Sequence, residues 1–387
     1  MQVTELKLAI GKKIKSLREA LHLSQEDLAK KMDWNSHVTV GSVERAERDL
    51  KAWELAKLSS IFRVPLHELL ATEIAVEQKP AFVLWRSRPS EQVVKEQEAR
   101  FFEVCRRFDF LEKALGLHEK RPATKNLPSF PLDLSKTTYS QVYDLANDCR
   151  EVMGLRNFPA KQLVSKLEDE YEIRVVYLDL DDNQGSAACT ISEFGKCMML
   201  NRNEVPWRRN FSIAHELFHI ITWNQLLFEQ ISSNKELLEK NEKLAETFAA
   251  GLLMPAEQIQ QAIEECASDD KIGASDILAI AREFEVLAEA LLWRLVNLKF
   301  IDSSAVEKIR IDRKFRELET ELNSERKTKD HFCSWRFVRL AYQAHSKGRL
   351  SKANLAKYLD VSLVDLENKL ADFGLAEIDG PEIKIHS

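Results

Sequence analysis

Three residues in the stretch FSIAHELFHIIT carry chemistry that an ordinary packed helix does not need: His215, Glu216 and His219. In a helix, positions four apart share one face. The two imidazoles then stand about 5–6 Å apart at Cβ, and both can reach a single zinc ion. Glu216 lies one step round, beside the open position of such an ion. There a carboxylate can take the proton of an attacking water and pass it to a leaving amine, the chemistry of peptide-bond hydrolysis. The flanking residues are apolar, so the histidines are polar groups in a buried setting that require partners, and a metal ion supplies one. A second helical stretch, NEKLAETFAAGLLMP at 241–255, presents Glu242 and Glu246 four apart on one face. One carboxylate can complete the ligand set while the other accepts a hydrogen bond from the distal nitrogen of a ligating histidine. Spacing alone leaves the two roles open between them.

The elements that must position these groups follow from local patterns. IRVVYLDL at 173–180 and CMMLN at 197–201 have strand composition, and DDNQGSA between them supplies turn residues. A sheet edge just upstream of the histidine helix can bind an extended peptide by strand addition. Helices are expected at 137–153 and 159–171. Between 256 and 300 the apolar set Ile277, Ile280, Phe284, Leu287, Leu291 and Leu295 reads as one packing face. Arg208, Arg209 and Tyr177 are of types that stabilise an oxyanion, but they read as solvated or core residues, and Cys189 and Cys197 read as core thiols. The run at 310–330 is densely charged with mixed sign and reads as a solvated helix. Residues 331–372 form a further helical set, in which LSKANLAKYLDVSLVDLENKL reads as a packed helix pair with a faint helix-turn-helix pattern.

The N-terminal stretch contains short helical patterns marked by Ile10, Ile14 and Leu17, by Leu28 and Met32, and by Leu55, Leu58 and Ile61. Ser24 followed by Asp27 three residues on reads as a helix N-cap with an acidic first turn. A turn at 33–36 and a helix from about Val38 to Glu47 follow. Helix, short turn, helix is the geometry that places a second helix in the DNA major groove. His37, Val38, Thr39 and Ser42 occupy the start of that second helix. The alternative is a helical dimerisation module without DNA binding.

A chain of 387 residues with 44% hydrophobic composition exceeds one compact domain and is not a disordered tail. It contains no run of about eighteen apolar residues, so no membrane association is expected. Six scattered cysteines without a C-x-x-C pair predict reduced thiols and a cytoplasmic location. The net charge of −6 excludes a surface coated throughout for nucleic acid, yet residues 1–70 hold twelve Lys and Arg against ten Asp and Glu, a local balance of +2. Pro80, Pro89, Pro122, Pro128 and Pro131 punctuate a polar helical stretch from Glu91 to Leu117, which predicts a spacer and linker. The expected organisation is mostly α with a small β-sheet. It comprises an all-α helix-turn-helix bundle at 1–71, a helical spacer and Pro-rich linker at 72–136, an α+β zincin-like domain at 137–300 and a helical region at 301–387.

Taken together, AHELFH and ETFAAGLLMP resemble the ImmA/IrrE family of zinc metallopeptidases over roughly residues 137–300. That family's second motif usually reads Glu-x-x-Ala, then Asn or Asp, then x-Phe-Ala-Ala. Here it falls on Glu242, Ala245 and Phe248 to Ala250, with Glu246 where Asn or Asp is usual. The resemblance implies a zinc cofactor, His215, His219 and Glu242 as its ligands, Glu216 as the catalytic base and Glu246 behind a ligating histidine. LSQEDLA at 23–29 and VERAER at 43–48 resemble the XRE (Cro/repressor-like) helix-turn-helix family, which implies double-stranded DNA as a partner and a DNA contact from Gln25. Gly41 inside the second helix and Ala46 in place of the usual Gly depart from that pattern. The expected function is a DNA-binding regulatory protease that cuts a specific protein substrate, a transcriptional repressor, and a homodimer is among the assemblies the sequence allows. The competing expectations are a regulator whose peptidase fold is a non-catalytic sensing module, and an antitoxin-like binding protein.

Overall fold

A computed structural model describes residues 2–21, 23–62, 66, 69, 83–85, 91–117, 125–128, 130–180, 187–192, 194–222, 231, 234–267, 271–327 and 334–375. The chain divides into two compact units. One comprises residues 1–83 and 88–106, the other residues 84–87 and 107–387.

In the first unit, helices α1 (Gln2–Ala20), α2 (Gln25–Met32), α3 (His37–Glu44) and α4 (Ala52–Phe62) surround a core of Ile14, Leu17, Leu28, Met32, Val40, Val43, Leu58 and Phe62. Ser24 caps α2 in a full capping box with Asp27, as its sequence signature requires, and Ser36 caps α3 through the amide of Val38. The tight α1–α3 packing depends on Gly11, where a Cβ would stand 2.7 Å from the carbonyl oxygens of Val43 and Glu44. Helix α3 ends three residues earlier than expected, because the backbone turns through Ala46 at φ 61°.

Helix α5 (Glu91–Ala114) ends in the second unit, which continues with α6 (Tyr139–Met153), α7 (Ala160–Asp169), α8 (Pro206–Ile221) and α9 (Lys235–Leu253). A four-stranded sheet in the order β1-β3-β4-β2 joins β1 (Leu84–Trp85), β2 (Arg174–Leu178), β3 (Ala187–Ser192) and β4 (Gly195–Asn201). Strands β2 and β4 run parallel from Arg174↔Cys197 to Leu178↔Asn201, while β3 is antiparallel both to β4 and to β1. The expected strands at 173–180 and 197–201 are present. Ala187, read from sequence as part of a turn, instead opens strand β3, and Leu84–Trp85, read as spacer, forms a strand. The rest of the expected turn, 181–186, lies outside the described residues, as do much of the 72–136 linker and Cys333.

Helices α10 (Ala256–Cys266), α11 (Ala274–Glu283), α12 (Ala288–Asn297), α13 (Ser303–Ile311) and α14 (Arg313–Lys327) follow. The apolar set expected at 277–295 lies on two helices, α11 and α12, between which the chain turns with Glu285 at φ 54°. Both halves still pack in the same core, through Ile277, Ile280 and Phe284 and through Leu291 and Leu295. Three last helices, α15 (Trp335–Ser346), α16 (Lys352–Tyr358) and α17 (Leu366–Asp372), belong to the same compact body. Helix α15 docks through buried charge. Arg336 donates to Glu112 of α5 at 2.9 Å and to the backbone oxygen of Glu168 in α7 at 2.7 Å, and Arg174 of β2 donates to the other oxygen of Glu112 at 2.7 Å. Ser334 donates its hydroxyl to the Glu168 carboxylate. No described helix is long and apolar enough to cross a membrane.

Candidate metal centre

Helix α8 begins at Pro206, whose fixed φ and missing amide proton suit the first helical position. It packs against β3 and β4 on one side and α9 on another. Ile213, Leu217, Phe218, Ile220 and Ile221 are all buried in the main core, so every turn from Ser212 onward is held in place. His215, Glu216 and His219 are carried into that interior, with exposures of 0%, 0% and 3%.

Helix α9 supplies the third group. Asn234 caps it by accepting from the amides of Glu236 and Leu237, and its far end is fixed against α6. Gly251 permits that contact, since a Cβ there would meet the Tyr143 ring at 2.8 Å. The same ring lies 4.5 Å beneath the guanidinium of Arg294, whose Nε donates to the backbone oxygen of Met254 at 3.0 Å. Glu242 is thereby brought over the two histidines.

The three donor groups converge. His215 Nε2 lies 3.2 Å from His219 Nε2 and 3.0 Å from Glu242 Oε2, and His219 Nε2 lies 3.4 Å from Glu242 Oε1. Zinc with Zn–N distances of about 2.0–2.1 Å and tetrahedral angles places neighbouring ligand atoms about 3.3 Å apart. The observed edges match that figure, and two imidazoles with one carboxylate are a donor set that suits zinc. Among the described residues, these three form the one His/Cys/Asp/Glu group close enough to hold a metal ion. Burial pushes the Glu242 carboxyl up, but the charge and hydrogen bonds of His219 and His215 outweigh it and hold the group well below the usual carboxylate range.

Behind His219 stands a residue that the sequence pattern did not single out, and the ring's partner there can be named. Its Nδ1 lies 3.3 Å from the side-chain amide of Asn241, which is 1% exposed, whereas Glu246 points from an exposed position one turn further along α9. The reason is position along the helix axis. Asn241 precedes Glu242 by one residue and so faces the outer edge of the same histidine ring, while Glu246 lies a full turn beyond. A His219 that binds metal through Nε2 carries its proton on Nδ1 and needs an acceptor there. Asn241 Oδ1 is buried and has no hydrogen-bond partner among the described residues. Turning the amide over, an assignment that rests on hydrogen bonding, gives Nδ1–H that acceptor. The sequence signal was present: an amide beside a candidate ligand, in a helix otherwise apolar on that side.

Arg209 is buried, donates to the Arg202 carbonyl at 3.0 Å and lies over the Tyr177 ring at 5.8 Å, in keeping with the expected core role. In the first unit, His37 and Val38 are exposed at the start of α3, and Thr39 and Ser42 are half-buried. Gln25 lies against α3, where its amide donates to Glu44 at 2.9 Å. Gly41 leaves room for this arrangement: its missing Cβ would stand 3.1 Å from the Arg45 guanidinium and 3.7 Å from the Gln25 amide oxygen.

A short helix presented by a capped helix pair, and a histidine helix crossed by a carboxylate helix beside a mixed sheet, together define a helix-turn-helix module joined to a metallopeptidase-like domain. Residues 168–296 match the peptidase family described as IrrE N-terminal-like domain, and residues 14–69 match the family described as Helix-turn-helix, so the chain carries both. No match was found among curated proteins. A Mycobacterium tuberculosis transcriptional regulator of known structure is similar at 21% identity with a TM-score of 0.31, over 41% of this chain and 46% of the regulator, less than half of that protein's length.

Proposed function

We propose that the protein is a cytoplasmic, DNA-binding regulatory zinc peptidase that cuts one protein substrate, a transcriptional repressor, to switch gene expression. The observation that carries this reading is the mutual 3.0–3.4 Å spacing of His215 Nε2, His219 Nε2 and the Glu242 carboxylate. These three residues hold zinc, which when bound polarises the scissile carbonyl and acidifies the attacking water. Glu216, on the next position of α8, takes the proton of that water and delivers it to the leaving amine. Asn241 holds the His219 ring in the tautomer that leaves Nε2 free to ligate. An extended substrate lies along the antiparallel strand β3 beside α8. The first unit docks double-stranded DNA with the start of α3, through His37, Val38, Thr39 and Ser42, and with Gln25 once that side chain exchanges Glu44 for DNA. This assigns DNA location to residues 1–71 and hydrolysis to residues 137–300.

Metal analysis of the purified chain should find zinc near one per molecule, and co-expression with candidate repressors should yield defined fragments. Glu216→Gln should keep the zinc and lower cleavage by at least about 10²-fold, the scale of general-base loss. A chain without zinc, or a Glu216→Gln variant that cleaves as fast as the parent, would overturn the assignment. A regulator with a non-catalytic peptidase fold would instead repress and respond unchanged in the same variant.

A further inference from the structure

Strand β1 does not belong to the metal-bearing domain by sequence. The family match begins at residue 168 and contains β2, β3, β4, α8 and α9, whereas Leu84 and Trp85 lie far upstream of it. They nevertheless complete the sheet at its antiparallel end, with Leu84 opposite Cys189 and Trp85 opposite Ala188. Leu84 packs against the main core and Trp85 is 7% exposed, so the added strand is seated by side chains as well as by its backbone. It is seated at a consequential place: β3 is the strand at the end of the domain's own sheet, and α8, with His215, Glu216 and His219, packs directly against it.

An extended polypeptide recognised by strand addition needs the free edge of β3. That edge is taken by this chain. Residues 84–87 group with the body that holds the metal centre, while the chain immediately before and after them, residues 1–83 and 88–106, groups with the helix-turn-helix unit. Among the described residues, the pairing of β1 with β3 involves two of the latter strand's six residues. A segment that pairs along the remaining residues of β3 as well competes with the strand for that edge.

We propose that Leu84–Trp85 is an internal occupant of the substrate edge. The resting chain blocks its own peptidase site with an antiparallel pseudo-substrate strand, and cleavage requires that strand to leave. The proposal rests on the peptidase reading above. The competing substrate has the chemistry of the occupant: an extended segment presenting a large apolar or aromatic side chain opposite Ala188.

The register supplies a reversible test, because Cys189 stands opposite Leu84. In cross-strand pairs the Cβ atoms lie about 4.5–5.5 Å apart, close to the span a disulfide bridges, so Leu84→Cys can be oxidised onto Cys189 to lock the strand. The probe is a fluorescein-labelled peptide of residues 80–88, PAFVLWRSR, added to the full zinc-loaded chain carrying Glu216→Gln to prevent turnover. Oxidised Leu84→Cys should bind the peptide at least tenfold more weakly than the same protein after reduction with dithiothreitol. The double variant Leu84→Ser/Trp85→Ser should bind it at least tenfold more tightly than the parent. Should that variant fail to fold, the oxidised and reduced forms of one protein still decide the matter. Equal binding by both forms overturns the proposal. With Glu216 restored, cleavage of a candidate repressor should rise at least tenfold on reduction, and equal, measurable cleavage in both forms also overturns it. Binding that follows the lock while no form cleaves any candidate repressor leaves the strand assignment standing and overturns the peptidase reading instead.

Discussion

The helix-turn-helix unit and the candidate metal centre both bury charge, and they do so in opposite ways. In the helix-turn-helix unit each buried carboxylate is answered by donors. Glu44 receives Arg18 Nε at 2.6 Å and the Gln25 amide at 2.9 Å, and Glu54 receives Arg48 at 2.7 Å, Lys51 N at 2.9 Å and Trp34 Nε1 at 3.0 Å. Burial pushes the Glu54 carboxyl up, but its hydrogen bonds and the Arg48 charge hold it below its ordinary value. In the second unit His215, His219 and Glu242 crowd their lone-pair atoms on one point between them. The first arrangement ties a fold together and leaves nothing for a ligand. The second gathers three donor atoms within 3.0–3.4 Å of one another, an arrangement that a shared proton or a cation can join. Burial alone therefore does not mark a functional group; the sign of what surrounds it does.

The comparison is broken most forcefully by Glu44→Ala, which removes the buried carboxylate facing Arg18 and leaves that guanidinium the Leu23 carbonyl and Glu19. A loss of about 3–5 kcal/mol is expected for removing one partner of a buried pair, read as faster amide hydrogen exchange throughout α2 and α3. If Arg18→Met/Glu44→Leu loses as much as the single variant, the pair is not the tie described. Glu168 sharpens the contrast, being a buried carboxyl of the second unit whose side chain receives a serine hydroxyl, while Arg336 bonds its backbone oxygen. Burial raises its pKa to about 7, against the lowering effects of Ser334 and Arg336. The folded state then holds a proton that the unfolded chain releases near its ordinary value, so stability falls as pH rises from about 4.5 to about 7, by about 3 kcal/mol, and is level above that. Urea midpoints measured across this window should show the slope in the parent and lose it in Glu168→Gln.

Asn241→Ala tests whether the metal group has the support assigned to it. Zinc affinity should drop by about 10–100-fold while the fold persists, as competition with a fluorescent chelator would show. Glu246→Ala should leave affinity within about twofold. The smallest effect runs the other way. Ala46 holds φ 61°, a conformation that burdens a side-chain-bearing residue by about 1–2 kcal/mol, so Ala46→Gly should raise the melting temperature of the helix-turn-helix unit.

What the sequence made legible was whatever local spacing encodes. The His215–His219 pair, the Ser24 cap and the strands around Val175 and Met198 depend on neighbours within a few residues, and all were readable. Glu242 needed the family motif to separate it from Glu246, because two carboxylates four apart on a helix are equivalent until the partner helix is placed. Asn241 was missed because its role exists only once α8 and α9 cross. Strand β1 could not be read at all, since a two-residue strand has no periodicity and is defined by pairing with residues about a hundred positions away. The split at Glu285 was hidden because both halves present apolar residues at helical spacing, and a left-handed glutamate leaves no compositional mark.

The placement of the ligands on two helices has a consequence for synthesis. Twenty-three residues separate His219 from Glu242. At about 5–20 residues per second, the second histidine is made one to several seconds before the carboxylate that completes the set. During that interval the nascent chain offers a two-histidine clip, an incomplete site open to any ion that binds imidazole. The three-residue set is complete only when α9 folds back across α8, so for the proposed zinc site the fidelity of metal loading follows how quickly α9 closes.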